Sequence, residues 1–253
     1  MEYEILNDRP GLLGDVTSLI GMLKMNIEKV SSIDRHRRGF LLNYCSDQQM
    51  EALVQTLQEV PDLEIKRTNF PDEFDLLALK HGKRIQNNSL NANDPPVYCF
   101  ERKELDYLID FLGGLLERET DLLIGLRGSP RIGKSETAIA ASVHANKPWL
   151  LISSTLFRKV ARTQIDAELL QITPVLIIDA ITSFRRSFPE HIAFVRQVLR
   201  MKALRIVEHP DILIREADIQ LHDFDLIVEI TVTGDEAGRR ESKPYGFTNY
   251  DIS

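Results

Sequence analysis

Residues 128–135 combine the residue types and the spacing that a phosphate-binding loop needs. Their sequence, GSPRIGKS, fits the pattern G-x-x-x-x-G-K-[ST]. The apolar stretch 122–126 before the loop indicates a strand, and the pattern after the loop indicates a helix. A strand, a glycine loop and a helix N-terminus together turn backbone N–H groups toward an anion. We therefore predict that a nucleotide is bound by Gly128, Ser129, Pro130, Arg131, Ile132, Gly133, Lys134, Ser135 and Glu136.

Two residues at the end of this loop have specific predicted roles. Lys134 reaches the β- and γ-phosphates as a catalytic residue, and the hydroxyl of Ser135 holds Mg²⁺. Arg131 stands where many such loops have another glycine. An arginine fits there if its φ is negative, and Pro130 removes one N–H, so we expect a stiffer loop than a glycine-rich one.

A second apolar stretch ends in an acidic residue. Residues 175–179, VLIID, indicate a buried strand, so Asp179 lies at the carboxyl edge of the sheet, where such sheets bind ligands. We predict Asp179 as a catalytic residue and as a metal ligand opposite Ser135. Ala180 follows it, whereas ATPases with an extra strand in the sheet usually have a water-activating glutamate there.

Further polar residues follow the predicted strands. Glu208 and His209 come after the strand 204–207, and either could position a nucleophile, sense the γ-phosphate or simply cap the strand. Downstream arginines could neutralise a transferring phosphate or remain solvated charges. These arginines are Arg185, Arg186, Arg196 and Arg200. Candidate contacts for a phosphoryl acceptor are Ser154, Thr155, Arg158, Arg162 and Gln164.

The composition excludes several classes of protein. The 253 residues have a net charge of −7 that is spread along the chain, so we expect no nucleic-acid or anionic-membrane partner. No uncharged run is long enough for a membrane-spanning helix, and the N-terminus lacks a secretory pattern. Cys45 and Cys99 suit neither a disulfide framework nor a metal site. These features favour a cytoplasmic protein.

Hydrophobic periodicity divides the chain into two blocks. Residues 1–70 predict the order βαββαβ, which forms a four-stranded antiparallel sheet with two helices on one face. Residues 71–97 form a predicted linker, within which 72–85 could be helical. Strands and helices alternate through 98–235, as in a doubly wound α/β domain with a parallel sheet. Residues 236–253 form a predicted flexible tail.

The N-terminal block resembles an ACT domain. The resemblance rests on residues 7–16, NDRPGLLGDV, and on Met25, Asn26 and Ile27 at the start of the second strand. It implies a regulatory or dimerisation module and a homodimer. In ACT domains a small effector, commonly an amino acid, binds at the interface of paired domains, although many members only dimerise. The resemblance assigns effector binding to Asp8, which suits an ammonium group, and to the Gly11 N–H, which suits a carboxylate.

The C-terminal block resembles P-loop NTPases over residues 122–230. Short spacing between strands and the absence of glutamate after Asp179 favour the kinase-like branch, in which the Asp179 strand neighbours the loop strand. Residues 126–135 also resemble loops of signalling ATPases, which keeps the branch with an added strand open. The whole chain, including VEHPD at 207–211, is similar to an uncharacterised bacterial family, the YmfK-like proteins of Bacillus and relatives.

Together these patterns predict a Mg²⁺-nucleotide protein, either a kinase-like phosphotransferase or an NTPase, regulated by an amino-acid-type effector. ATP is favoured over GTP because no N-K-x-D motif is present. The alternative is a non-catalytic or very slow nucleotide switch that binds a protein partner.

Overall fold

The computed structural model describes residues 1–153, 173–185, 189–216 and 219–232. The chain divides into two compact units, Met1–Gln86 and Asn87–Ser253. The tail predicted at 236–253, Arg186 and the candidate acceptor contacts between 154 and 164 lie outside the described residues. Among the described helices, none is long and apolar enough to cross a membrane.

The first unit follows the predicted order of elements and also includes a helix from the predicted linker, within the stretch 72–85 that could be helical. The elements are β1 (Glu2–Ile5), α1 (Leu12–Met22), β2 (Asn26–Ser32), β3 (Arg37–Asn43), α2 (Asp47–Gln58), β4 (Leu63–Arg67) and α3 (Glu73–His81). The strands form a sheet in the order β2-β3-β1-β4, with antiparallel neighbours throughout. The predicted antiparallel sheet is therefore confirmed.

The core of this unit lies between the sheet and the first two helices. The apolar positions of α1 and α2 recur at helical spacing, so each helix buries a single face. They pack with Tyr3 and Phe40, whose rings stack with centroids 5.9 Å apart. The buried helical residues are Leu12, Val16, Ile20, Leu53 and Leu57.

Helix α3 packs against β2 and β3, although its residues belong to the predicted linker. A Cβ at Gly39 would lie 2.7 Å from Leu79 of α3, whereas the next residue, Phe40, belongs to the core. Because successive strand residues point to opposite faces, α3 covers the face opposite α1 and α2. Asp72 caps the N-terminus of the helix, with its side chain accepting from the Asp75 N–H, and Gly82 caps the C-terminus with φ +71°.

Buried charges tie α3 to the sheet. Arg84 donates to Asp75 Oδ1 at 2.8 Å and to Glu2 Oε2 at 2.8 Å, and Arg67 donates to the same Asp75 oxygen at 2.9 Å. Burial raises the pKa of the Asp75 carboxyl. The hydrogen bonds from Arg84 and the Asp72 backbone together lower it by more than burial raises it, so the pKa lies below its usual value. The ionised carboxylate thus stabilises the fold.

We expect Asp75→Asn to destabilise the first unit by about 1–3 kcal/mol at neutral pH, because two guanidinium groups lose a charged acceptor. Because the pKa of Asp75 is lower in the folded protein, its carboxylate stabilises the folded state at pH values above the ordinary pKa of 3.8. This stabilisation is lost as the pH falls through the folded-state pKa. The difference in the free energy of unfolding between Asp75→Asn and wild type should therefore become smaller below pH 3.8. Urea unfolding followed by circular dichroism measures it, with the exposed Glu51→Gln as matched control. Equal stability of Asp75→Asn and Glu51→Gln at neutral pH would contradict this assignment.

The second unit alternates strands and helices. Its elements are β5 (Val97–Glu101), α4 (Leu105–Arg118), β6 (Leu122–Gly128), α5 (Lys134–His144), β7 (Trp149–Leu151), β8 (Val175–Asp179), α6 (Ala180–Arg185), α7 (Pro189–Arg200), β9 (Leu204–Glu208), α8 (Pro210–Glu216) and β10 (Leu226–Thr231). Short 3₁₀ turns precede α4 and β10. Strand β5 begins at the end of the predicted linker and was not predicted from the sequence.

All six strands of this unit run parallel, in the order β5-β10-β6-β9-β8-β7, which confirms the predicted parallel sheet. Strand β9 lies between β6 and β8. The expectation that the Asp179 strand neighbours the loop strand, as in the kinase-like branch, is therefore wrong. The chain reaches β9 only after α7, so the last residues of β9 enter the edge between the loop and Asp179.

Candidate functional site

The loop between β6 and α5 needs glycine at both of its ends. Gly128 has φ +147°, and a Cβ there would lie 2.8 Å from the carbonyl oxygen of Ile230 on β10. Gly133 has φ +112°, and a Cβ there would approach Leu105 Cδ1 to 3.1 Å. Between them the side chain of Ile132 is buried, which anchors the middle of the loop. Ser129 and Pro130 are exposed.

Arg131 adopts a left-handed backbone conformation, with φ +61°. A negative φ is the condition on which an arginine is predicted to fit this position, and Arg131 does not meet it. The residue instead occupies the backbone region that favours glycine. A non-glycine residue in this region is disfavoured by roughly 1–2 kcal/mol. The strain lies within the loop itself, and the Arg131 side chain is exposed.

The side chain of Lys134 is folded back onto the loop. Lys134 is 4% exposed, and its Nζ donates to the carbonyl oxygens of Gly128 at 3.1 Å and Ser129 at 2.9 Å. Burial lowers the pKa of the Lys134 ammonium group, while the charges of nearby carboxylates oppose this shift. Those carboxylates belong to Glu208, Asp179 and Glu136. The first turn of α5 therefore lies close to two strand ends.

Glu208 lies at the centre of this edge. It is the last residue of β9, pairs in register with Leu126 on β6 and with Asp179 on β8, and is 6% exposed. Its carboxylate accepts a hydrogen bond from the Ser135 side chain. Burial raises the pKa of the Glu208 carboxyl, and neither this hydrogen bond nor the Lys134 charge reverses the shift. The sequence indicated a polar strand end, but not the contact with Ser135.

The carboxylate of Asp179 caps the helix that follows it. Its Oδ1 accepts from the N–H groups of Ile181 at 2.9 Å and Thr182 at 3.4 Å, and its Oδ2 accepts from the Thr182 hydroxyl. The Asp179 N–H donates to Ser153 Oγ at 2.7 Å. Ala180, the next residue, is completely buried, so it presents no group to the edge.

His209 adjoins Glu208 and turns the chain out of the sheet. It has φ +60°, and its N–H donates to the Leu126 carbonyl at 3.1 Å. Burial lowers the pKa of the His209 ring, and the positive charge of Lys134 lowers it further. Asp211, two residues on, accepts from Arg127 Nη2 at 2.7 Å, which links α8 to the end of β6.

The structure brings together Lys134, Ser135, Asp179 and Glu208, of which the first three form the predicted core of the site. Glu136 is exposed on the first turn of α5. Arg196, on α7, donates to the carbonyl of Glu216 at 3.0 Å, and Arg200 is exposed. Within the described ranges, no three His, Cys, Asp or Glu side chains lie close enough to hold a metal ion on their own.

The two residues predicted to bind an effector lie in the loop between β1 and α1. Asp8 and Gly11 are both exposed, and Gly11 has φ +89° at the start of α1. Arg9, for which the sequence predicted no role, donates to Asp62 Oδ2 at 2.7 Å and forms an ion pair with Asp15 at 2.8 Å. The loop is therefore braced by an arginine between two carboxylates.

These features define a mixed α/β protein with an antiparallel-sheet unit and a parallel-sheet unit, the latter with a glycine loop beside two acidic strand ends. Residues 65–244 match the family described as "Protein of unknown function (DUF3388)", and the chain belongs to this family. It is also 41% identical over 235 residues to "Uncharacterized protein YmfK" of Bacillus subtilis (strain 168), covering 93% of this chain and 86% of the relative. The predicted resemblance to the YmfK-like family is confirmed.

Substitutions at the two special loop positions should have opposite effects. We expect Arg131→Gly to stabilise the second unit by up to about 1 kcal/mol, because relief of the left-handed strain exceeds the entropy lost by glycine. Gly128→Ala should destabilise it by at least about 1 kcal/mol, because the methyl group meets the Ile230 carbonyl. Urea unfolding followed by fluorescence of Trp149, the single tryptophan, reports this unit. Destabilisation by Arg131→Gly would contradict the assigned strain.

Proposed function

We propose that the second unit binds a nucleoside triphosphate, ATP rather than GTP, together with Mg²⁺ at the loop 128–135. The position of Lys134 supports this most directly. The Lys134 side chain is buried and its Nζ donates to two loop carbonyls, so the ammonium group lies against the loop that would hold a phosphate chain. Phosphate oxygens would replace these carbonyls as charge-assisted acceptors. The N–H groups at the start of α5 add the positive end of the helix.

The residues around the loop fit Mg²⁺. This ion prefers oxygen ligands and is usually held by one or two carboxylates together with phosphates. Ser135 offers a hydroxyl, and Asp179 and Glu208 offer neighbouring carboxylates. Two protein carboxylates are too few for a site built by the protein alone, so we propose that the ion binds with the nucleotide. When bound, Mg²⁺ would neutralise charge on the phosphates.

The chemistry that follows binding has two candidates. Transfer of the γ-phosphoryl group to water or to a small acceptor would use Lys134 and Asp179. A slow nucleotide switch that controls a protein partner is favoured by one observation, since Ala180 is buried where ATPases with an added strand have a catalytic glutamate. Phosphate release, measured with and without candidate acceptors, separates turnover from slow switching.

Lys134→Ala should weaken binding of a fluorescent ATP analogue by about 10- to 100-fold, because a hydrogen-bonded charge contributes roughly 1.5–3 kcal/mol. The matched control is Lys202→Ala, which removes an exposed lysine from the same unit. Titration of the full chain with the analogue and Mg²⁺ measures both variants. Equal affinity of Lys134→Ala and wild type would reject the phosphate-loop assignment.

We also propose that the first unit acts as an ACT-like module that forms a homodimer and binds an amino-acid-type effector at Asp8 and Gly11. The exposed turn at the start of α1 supports this, since Gly11 presents backbone where a side chain would be strained. Effector binding would alter nucleotide affinity in the second unit. Such coupling is typically worth about 1–3 kcal/mol, or about 5- to 150-fold.

We expect at least one of the standard amino acids to raise the unfolding temperature of the full chain and to change its affinity for the ATP analogue. Asp8→Ala should abolish both effects, because the ammonium group loses its carboxylate partner. Glu51→Ala, an exposed acid on α2, is the control. Sedimentation of the wild type tests the dimer. A full set of amino acids without effect on either quantity would reject the effector proposal.

A further inference from the structure

The strand order places a second carboxylate beside the proposed metal site. Because β9 lies between β6 and β8, the side chain at its end is next to both the glycine loop and Asp179. That side chain belongs to Glu208, which is only 6% exposed. A buried carboxylate at a ligand-binding edge needs a partner, and here the partner is the hydroxyl of Ser135.

The hydrogen bond from Ser135 to Glu208 involves the residue that we propose as a ligand of Mg²⁺. The Ser135 hydroxyl donates to the Glu208 carboxylate. Lys134 donates to loop carbonyls rather than to this carboxylate. The site therefore presents two neighbouring acids, Glu208 and Asp179, to an incoming triphosphate. Carboxylates on paired residues of adjacent strands repel further negative charge more strongly in a partly buried site than in water.

We propose that Glu208 makes nucleotide binding dependent on Mg²⁺, by repelling a bare triphosphate and by positioning the Mg²⁺ complex against Ser135. This inference rests on the proposed function. It places an acidic residue at the end of β9, whereas the position after Asp179 holds the buried Ala180. The ligand class is the Mg²⁺ complex of a nucleoside triphosphate. Glu208 is a positioning residue, since it acts through the ion and Ser135.

A role in capping the strand would have a different signature from this electrostatic role. Loss of a structural contact weakens binding of the free nucleotide and of its Mg²⁺ complex by the same factor. Loss of the Glu208 charge strengthens binding of the free nucleotide and weakens binding of the complex. The ratio of the two dissociation constants therefore separates the two roles. It also requires no turnover.

The experiment measures the dissociation constant of a non-hydrolysable fluorescent ATP analogue for the full chain, once in excess Mg²⁺ and once in excess EDTA. We expect Mg²⁺ to strengthen binding to wild type. We call the ratio of the dissociation constant in EDTA to that in Mg²⁺ the Mg²⁺ advantage. In Glu208→Gln, whose amide oxygen still accepts from Ser135, the Mg²⁺ advantage should fall by about tenfold or more. Most of the change should be tighter binding in EDTA.

Two further variants keep the inference falsifiable. Glu117→Gln removes an exposed acid from α4 of the same unit and should leave the Mg²⁺ advantage within about twofold of wild type, because solvent screens its charge. Glu208→Asp keeps the charge, so its binding in EDTA should stay as weak as that of wild type. Circular dichroism establishes that each variant is folded.

The possible outcomes are distinct. An unchanged Mg²⁺ advantage in Glu208→Gln, or an equal loss of affinity in both conditions, overturns the role of Glu208 while leaving nucleotide binding in place. If wild type binds the analogue in neither condition and Lys134→Ala behaves the same, the proposed function fails and the role of Glu208 fails with it. Tighter binding of Glu208→Gln in EDTA supports the inference.

Discussion

The burial of the Lys134 ammonium group constrains the whole carboxyl edge of the parallel sheet. A charged group removed from water must be given oxygen partners, and Lys134 finds them in the carbonyls of Gly128 and Ser129. Those carbonyls point toward Nζ only because the loop curls tightly. The curl in turn requires φ +147° at Gly128, where the chain passes within contact distance of Ile230 on β10. Loop, helix and neighbouring strand therefore depend on one another.

The strand order determines what surrounds this lysine. With β10 on one side of β6 and β9 on the other, the loop is flanked by the Ile230 backbone and by the Glu208 carboxylate. Asp179 is one strand further away, and its oxygens are already engaged in capping α6. Among the described residues, the edge therefore brings the Lys134 cation together with the carboxylates of Glu208 and Asp179. A net charge of −7 opposes the approach of phosphate, so local geometry and Mg²⁺ must supply the attraction in the proposed function.

The first unit shows how a segment that resembles a linker becomes part of a fold. Helix α3 has an N-cap at Asp72 and a left-handed C-cap at Gly82, so its ends are specified locally. Its attachment to the sheet depends on distant residues, because Arg84 joins Asp75 of the helix to Glu2 of β1. Arg84 and Glu2 are 82 positions apart, so no local sequence pattern predicts that they pair. The same holds for β5, whose partner β10 lies more than a hundred residues later.

The sequence by itself determined the features that depend on neighbouring residues. Helical periodicity predicted α1 and α2, the glycines and Lys134 predicted a tight loop between a strand and a helix, and VLIID predicted a strand that ends at Asp179. Only the tertiary structure decided the insertion of β9 between β6 and β8, the positive φ of Arg131, and the contact of Ser135 with Glu208. Strand order is set by packing and pairing between segments far apart in the chain, and local spacing does not record such choices. The acid beside the loop is therefore a product of the fold.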